Sequence, residues 1–162
     1  MGEEHWTSSE QDTLALARSF ALQLHRGDVV ALRGELGTGK TVFVKGICET
    51  FGALAHVSSP SFVILNRYEG KDRNDRELLI YHLDLYRVRS LDEIYDLGYE
   101  EFFYGDGITL IEWAEQLGEL LPAKRYDVHL TYGESDSRRR ITIESMISPK
   151  EPVIAGKSRG TP

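Results

Sequence analysis

Asp28-Val29-Val30-Ala31-Leu32-Arg33-Gly34-Glu35-Leu36-Gly37-Thr38-Gly39-Lys40-Thr41-Val42-Phe43-Val44 is the stretch that decides the fold. Residues 28–33 form a short apolar run that reads as a buried strand. The run feeds directly into residues 34–41, which match G-x-x-x-x-G-K-[ST] in full. From Lys40 to about Phe51 the pattern is helical, with Val44, Ile47 and Cys48 along one side and Gly52 as the stop. An ordinary glycine turn needs neither flank; a phosphate loop needs both. The glycines let backbone N–H groups turn inward around phosphate oxygens. Lys40 brings a mobile cation to the β- and γ-phosphates, and the Thr41 hydroxyl can ligate Mg²⁺. The following helix aims its positive end at the same anion. Glu35 adds a negative charge inside the loop, as consistent with helix capping or lysine orientation as with catalysis.

Working outward, residues 1–6 read as a frayed end. Ser8 or Ser9 caps a helix running to His25, with Leu14, Ala17, Phe20, Ala21 and Leu24 on one face. Residues 57–61 read as a polar loop, 62–68 as a strand, 69–76 as a charged hairpin tip and 78–83 as the return strand. Ser90-Leu91-Asp92-Glu93 is a capping box opening a short helix that closes near Gly98. Residues 108–111 form another apolar strand, 114–121 a helix stopped by Pro122, and 126–132 and 139–147 two last strands. Strands alternate with helices early and pair as hairpins later. The expected fold is therefore α/β, a P-loop NTPase-like three-layer sandwich with a mixed, partly antiparallel sheet. One domain is expected over residues 1–148, with 149–162 a disordered tail.

A P-loop needs a second acid for the Mg²⁺ shell or the attacking water. Asp84 and Glu112 each end an apolar strand, where ligands collect in open α/β sheets. The competing reading of each is a carboxylate capping the next helix. Trp113 makes that less apt for Glu112, being an awkward surface residue. His25, His56, His82 and His129 form no zinc-binding pattern and read as satisfied sheet or surface residues. Arg138-Arg139-Arg140 reads as charge along an edge strand; the lesser reading lets one arginine touch the nucleotide or a partner.

The bulk numbers narrow the class. The chain has 162 residues, 41% hydrophobic and 28% charged, as in ordinary globular proteins. No apolar run approaches the ~20 residues of a membrane span, and the acidic start is unlike a secretory signal. The single Cys48 cannot form an internal disulfide, which fits a reducing, cytoplasmic setting. A net charge of −7 argues against gripping nucleic acid unaided.

The phosphate loop, then Ser59-Pro60-Ser61-Phe62, His82-Leu83-Asp84-Leu85-Tyr86-Arg87, Leu97-Gly98 and Leu110-Ile111-Glu112-Trp113-Ala114-Glu115, occur in this order. In that ordered set the chain resembles the TsaE (YjeE) family, bacterial ATPases of tRNA threonylcarbamoyladenosine synthesis, over roughly residues 8–147. The resemblance implies ATP and Mg²⁺ as ligands, and TsaB and TsaD as partners. Those proteins modify ANN-decoding tRNAs, so tRNA is met only indirectly. It also implies catalytic roles for Lys40, Asp84 and Glu112. Metal binding would involve Thr41, Glu112 and Asp84. Nucleotide contacts would come from Thr13, near the adenine, from Glu35, Leu36, Gly37, Thr38, Gly39, Lys40 and Thr41, and from Trp113 beside the site. Residues 59–62 match a mobile loop over the triphosphate. Thr38, Glu35 and Ser61 stand where alanine, aspartate and threonine are common, and Val42 where a second threonine is frequent.

Three other readings compete. A small-molecule or nucleotide kinase has the size and the loop, but no arginine-rich lid sequence stands out. A GTPase would carry N-K-x-D and a D-x-x-G after a strand, and neither is present. A binding module using the nucleotide as a latch overlaps with a slow, partner-dependent ATPase.

Overall fold

In chain order the strands are β1 (Glu3–Thr7), β2 (Val29–Arg33), β3 (Leu65–Lys71), β4 (Glu77–Asp84), β5 (Ile108–Glu112), β6 (Tyr126–Tyr132) and β7 (Arg139–Ser145). The computed structural model describes residues 2–53, 57–58 and 64–147. Across the sheet the order is β1-β7-β6-β2-β5-β4-β3. The central strands are parallel: β2 pairs with β5 and β6, and β4 with β5. Antiparallel partners close both sides, β3 on β4, and β7 and then β1 beyond β6.

β2 is apolar throughout because both its faces are covered, as a central parallel strand requires. Val30 and Leu32 face a core shared with helices α1 (Glu10–Ala21) and α2 (Lys40–Thr50). Val29 and Ala31 face a second core under α3 (Leu91–Leu97), α4 (Tyr99–Phe103) and a 3₁₀ segment, Ala114–Leu120. The result is the expected three-layer α/β sandwich of the P-loop type with a mixed sheet. Phe20 packs on Phe43 and edge-on to Tyr126, joining both helices to the sheet.

Several local expectations are corrected. The first residues are not frayed: Glu3 to Thr7 pair with β7, Arg140 bonds Glu4 at 2.7 Å, and Arg138 lies 4.6 Å over the Trp6 ring. Backbone pairing and cross-strand contacts hold this strand, so it lacks the apolar alternation that marks a half-buried one. β7 is therefore not an edge strand. α1 ends at Ala21, short of His25, and turns carry the chain on to the Gly27 bend. β3 runs on to Lys71, shortening the hairpin tip. The segment after Trp113 is 3₁₀, broken at Gly118 (φ 52°, ψ −121°), and α4 adds a turn that was not anticipated. The loop at 59–62, the start of the 62–68 strand, His56 and the tail from 149 lie outside the described residues.

Two features of this frame are testable. A Cβ on Gly46 would stand 2.6 Å from Cβ of Ala17 and 2.9 Å from the Leu14 carbonyl oxygen, so α1 and α2 touch backbone to backbone there. Gly46→Val is expected to destabilise the protein by roughly 1–3 kcal/mol through overpacking, read from urea unfolding. At the hairpin tip the Asp72 carboxyl is held down to about 2. The Arg76 N–H is the main cause, the Arg26 guanidinium and the Asn74 N–H add to it, and partial desolvation opposes them. A depressed carboxyl stabilises above its unfolded pKa and loses that contribution as the pH falls through its folded pKa. The stability gap between wild type and Asp72→Ala is thus expected to be full above about pH 4 and to close toward pH 2, read from unfolding midpoints across that range.

Candidate functional site

The end of β2 and the start of α2 are joined by a loop whose carbonyls and cation are tightly organised. Gly37 takes φ +80° and Gly39, the N-cap of α2, φ +105°, both left-handed conformations open to glycine. A Cβ at Gly34 would collide with the Leu130 carbonyl oxygen, so β6 sets how closely the loop approaches the sheet. Lys40 curls back over the loop and donates to the carbonyls of Gly34 (2.6 Å) and Glu35 (2.8 Å). Its ammonium also lies 4.1 Å from the centre of the Trp113 ring. Burial lowers the Lys40 pKa, while the charges of Glu112, Glu115 and Asp84 oppose that fall. Glu35 orients the lysine through its carbonyl, and no side chain caps α2.

The two strand-end acids stand side by side, with Asp84 in register with Glu112. They have different surroundings. Glu112 is 2% exposed, and its Oε1 accepts from the Thr41 hydroxyl at 2.8 Å. Asp84 is half-buried and accepts from the Tyr86 N–H at 3.1 Å, turning the chain at the strand exit. Neither caps a helix: Ser90 caps α3, and Trp113 leads into the 3₁₀ segment. Trp113 itself is left-handed (φ 57°, ψ 42°), rare for an aromatic residue, and stacks 5.0 Å from Tyr86. Of the remaining expected contacts, Thr13 is buried and lines a hollow of about 140 Å³ with Ser9, Gly37, Gly39 and Arg139. Leu36 points outward, 67% exposed.

His82 was passed over in the sequence and belongs to this site. It is fully buried, with Nε2 2.5 Å from Glu112 Oε2 and Nδ1 3.2 Å from the Tyr68 hydroxyl. With Glu112 accepting, the network puts the proton on Nε2 and leaves Nδ1 to accept from Tyr68. The Tyr68 hydroxyl is also 3.3 Å from the Ser58 carbonyl, which takes the Asn66 amide at 3.1 Å. Strand parity was the available signal. His82 and Asp84 share a face with Leu78 and Ile80, as Glu112 does with Ile108 and Leu110, and that face meets α2. The arginine run held a second surprise. Arg139 reaches the loop, donating to the carbonyls of Thr38 (3.1 Å) and Gly37 (3.3 Å).

The loop fits a polyphosphate: glycine backbone, a desolvated ammonium donating to carbonyls, and a helix start converge on one place. Thr41 and Glu112 fit a divalent cation beside it. Among the described residues no three or more His, Cys, Asp or Glu side chains gather to hold an ion. Mg²⁺ commonly takes one or two carboxylates and draws its other ligands from substrate phosphates and water. His82→Leu would leave Glu112 Oε2 buried without this donor. It is expected to cost about 1–3 kcal/mol in urea unfolding, and Tyr68→Phe, which spares the His82–Glu112 bond, about 1 kcal/mol.

Among the described residues no helix is long and apolar enough to cross a membrane. The family model described as "Threonylcarbamoyl adenosine biosynthesis protein TsaE" matches residues 7–141. The tRNA threonylcarbamoyladenosine biosynthesis protein TsaE of Bacillus subtilis is 40% identical over 153 residues, covering 94% of this chain and 92% of the relative. The protein of the same name in Treponema pallidum is 37% identical over 135 residues, 83% of this chain and 95% of the relative. The crystal structure of Bacillus subtilis YdiB superposes with a TM-score of 0.72 at 34% identity, covering 90% of this chain and 86% of that one. With its phosphate loop and its strand-end acids on one such fold, the chain belongs to the TsaE family, proteins of threonylcarbamoyladenosine biosynthesis.

Proposed function

We propose that this protein binds and hydrolyses ATP, with Mg²⁺, in service of the threonylcarbamoyladenosine modification of ANN-decoding tRNAs, acting on a complex of TsaB and TsaD. The observation that carries the ATPase reading is the join of Thr41, at the head of α2, to Glu112, at the end of β5, beside a loop crossed by Lys40. A hydroxyl and a carboxylate joined in this way are a pair that could hold Mg²⁺ beside a triphosphate.

The roles follow from the chemistry of phosphoryl transfer, which asks for positioning and charge stabilisation more than covalent help. Lys40 leaves the Gly34 and Glu35 carbonyls for the β- and γ-phosphates. Exchanging neutral acceptors for phosphate oxygens strengthens its hydrogen bonds. Thr41 and Glu112 would hold Mg²⁺, which when bound neutralises charge on the β- and γ-oxygens. His82 and Thr41 fix the Glu112 carboxylate from both sides, so its orientation does not depend on the ligand. One of the two acids, Glu112 or the half-buried Asp84 one strand over, also orients the attacking water. The net charge of −7 supports a division of labour in which the partner proteins hold the tRNA.

Lys40→Ala is expected to abolish productive ATP binding, and wild-type hydrolysis by that variant with partners present would refute the site. Glu112→Ala is expected to keep much of the nucleotide affinity and lose turnover; turnover equal to wild type would shift the essential acid to Asp84. The appearance of γ-phosphate on a small acceptor instead of water would mark a kinase. The cellular test measures threonylcarbamoyladenosine in bulk tRNA by mass spectrometry as a wild-type source is withdrawn from cells carrying Lys40→Ala. The modified nucleoside is expected to fall; a wild-type level with the variant present and folded would place the protein in another pathway.

A further inference from the structure

Each carbonyl from Gly34 to Thr38 has a donor. Lys40 serves Gly34 and Glu35, and Thr38 also serves Glu35 through its hydroxyl (2.8 Å) and N–H (3.3 Å). The next three donors come from about a hundred residues downstream. The Tyr132 hydroxyl donates to Leu36 O at 2.6 Å, and Arg139 donates to Gly37 O at 3.3 Å and Thr38 O at 3.1 Å. These two residues brace each other, the guanidinium lying 4.4 Å over the Tyr132 ring. The Arg139 Nη1 is tied in turn to the carbonyls of Asp136 and Arg138. The contact is close: a Cβ on Gly37 would stand 2.8 Å from the Tyr132 hydroxyl.

A trans peptide holds its C=O and the following N–H on opposite sides of a rigid plane. Fixing the carbonyls of Leu36, Gly37 and Thr38 toward the β6–β7 hairpin therefore fixes the N–H groups of Gly37, Thr38 and Gly39 away from it. The Thr38 amide is partly engaged in its turn with Glu35. We propose that Tyr132 and Arg139 are positioning residues for the phosphate loop, holding the Gly37 and Gly39 amides in the orientation that binds a polyphosphate. The inference rests on reading this loop as a triphosphate site and adds the parts that shape it. Amides already aimed need no reordering on binding, so the gain appears as affinity. The planar fork of arginine supplies two donors at a fixed spacing, which lysine cannot.

The test measures ATP and inorganic tripolyphosphate binding by equilibrium dialysis for wild type, Arg139→Gln and Tyr132→Phe. Backbone order parameters of Gly37 and Gly39 in the nucleotide-free protein are read by NMR. Arg139→Gln is expected to weaken both ligands by a similar factor, about tenfold, and Tyr132→Phe by a few-fold. Order parameters are expected to fall at Gly37 and Gly39 and not across the sheet, where a general loosening would lower them too. Tyr132→Phe removes one exposed hydroxyl and keeps the ring under Arg139, so it carries the test if Arg139→Gln does not fold. Unchanged affinity and order parameters in folded variants would overturn the proposal. So would weakened ATP with unmoved tripolyphosphate, which would put these side chains on the nucleoside. A wild-type protein that binds neither ligand would overturn the reading of the loop itself, a result distinct from variants that match a binding wild type.

Discussion

A loop that offers N–H groups to an anion must find somewhere to put its carbonyls, because each peptide unit carries the two on opposite sides. Buried carbonyls without donors are costly, so the surroundings of the loop are as constrained as its concave face. Here the donors are Lys40 and Thr38 within the loop and Tyr132 and Arg139 from the β6–β7 hairpin, and the two neighbours of β2 set the rest of the surroundings. On one side β6 brings Leu130 against Gly34 and Tyr132 under Leu36. On the other side β5 brings Glu112 to Thr41. The order β6-β2-β5 in the sheet is thus what assembles the site, one strand furnishing the back of the loop and the other its acid.

The acid side is built from buried charge and polar groups, an arrangement that favours fixed orientation over stability. Glu112, His82, Tyr68 and Asn66 form a hydrogen-bonded series running from the head of α2 to the Ser58 carbonyl. Lys40 faces the charges of Glu112, Glu115 and Asp84 from beneath Trp113. Trp113 can cover the lysine because its backbone turns left-handed straight after Glu112, reversing the chain where β5 ends. Its stacking on Tyr86 links that reversal to the exit of β4. The two strand ends carrying the acids are therefore joined above the sheet as well as within it.

What was legible in the sequence was what is local. The β2–loop–α2 unit, the capping box at Ser90 and the strand Tyr126–Tyr132 are each written in a few consecutive residues, and the structure places them where the pattern did. The placement of Asp84 and Glu112 at strand ends was legible because each closes an apolar run. β1 was not, since Glu3-Glu4-His5-Trp6-Thr7 has no apolar alternation and is ordered by a strand more than 130 residues away. Arg139 was misjudged for the same reason: its partners are loop carbonyls, and no residue-type pattern announces a carbonyl. His82 lay within reach, because its parity with Asp84 depends only on the period of a strand. Its contact with Glu112 needed the β4–β5 register as well.

The pairing of β1 with β7 also bears on the protein's biogenesis. Residues Glu3 to Thr7 are synthesised before their partners, Arg139 to Ile143, with more than 130 residues between them. Closing a sheet between such distant segments is slow and leaves strand edges open meanwhile. The Arg139 contacts to the Gly37 and Thr38 carbonyls come from the same late strand. A nascent chain that has emitted β2, the loop and α2 therefore lacks both its outer strand and the fork behind its loop. The phosphate-loop motif is translated before its supporting shell, which is complete only once β7 has emerged.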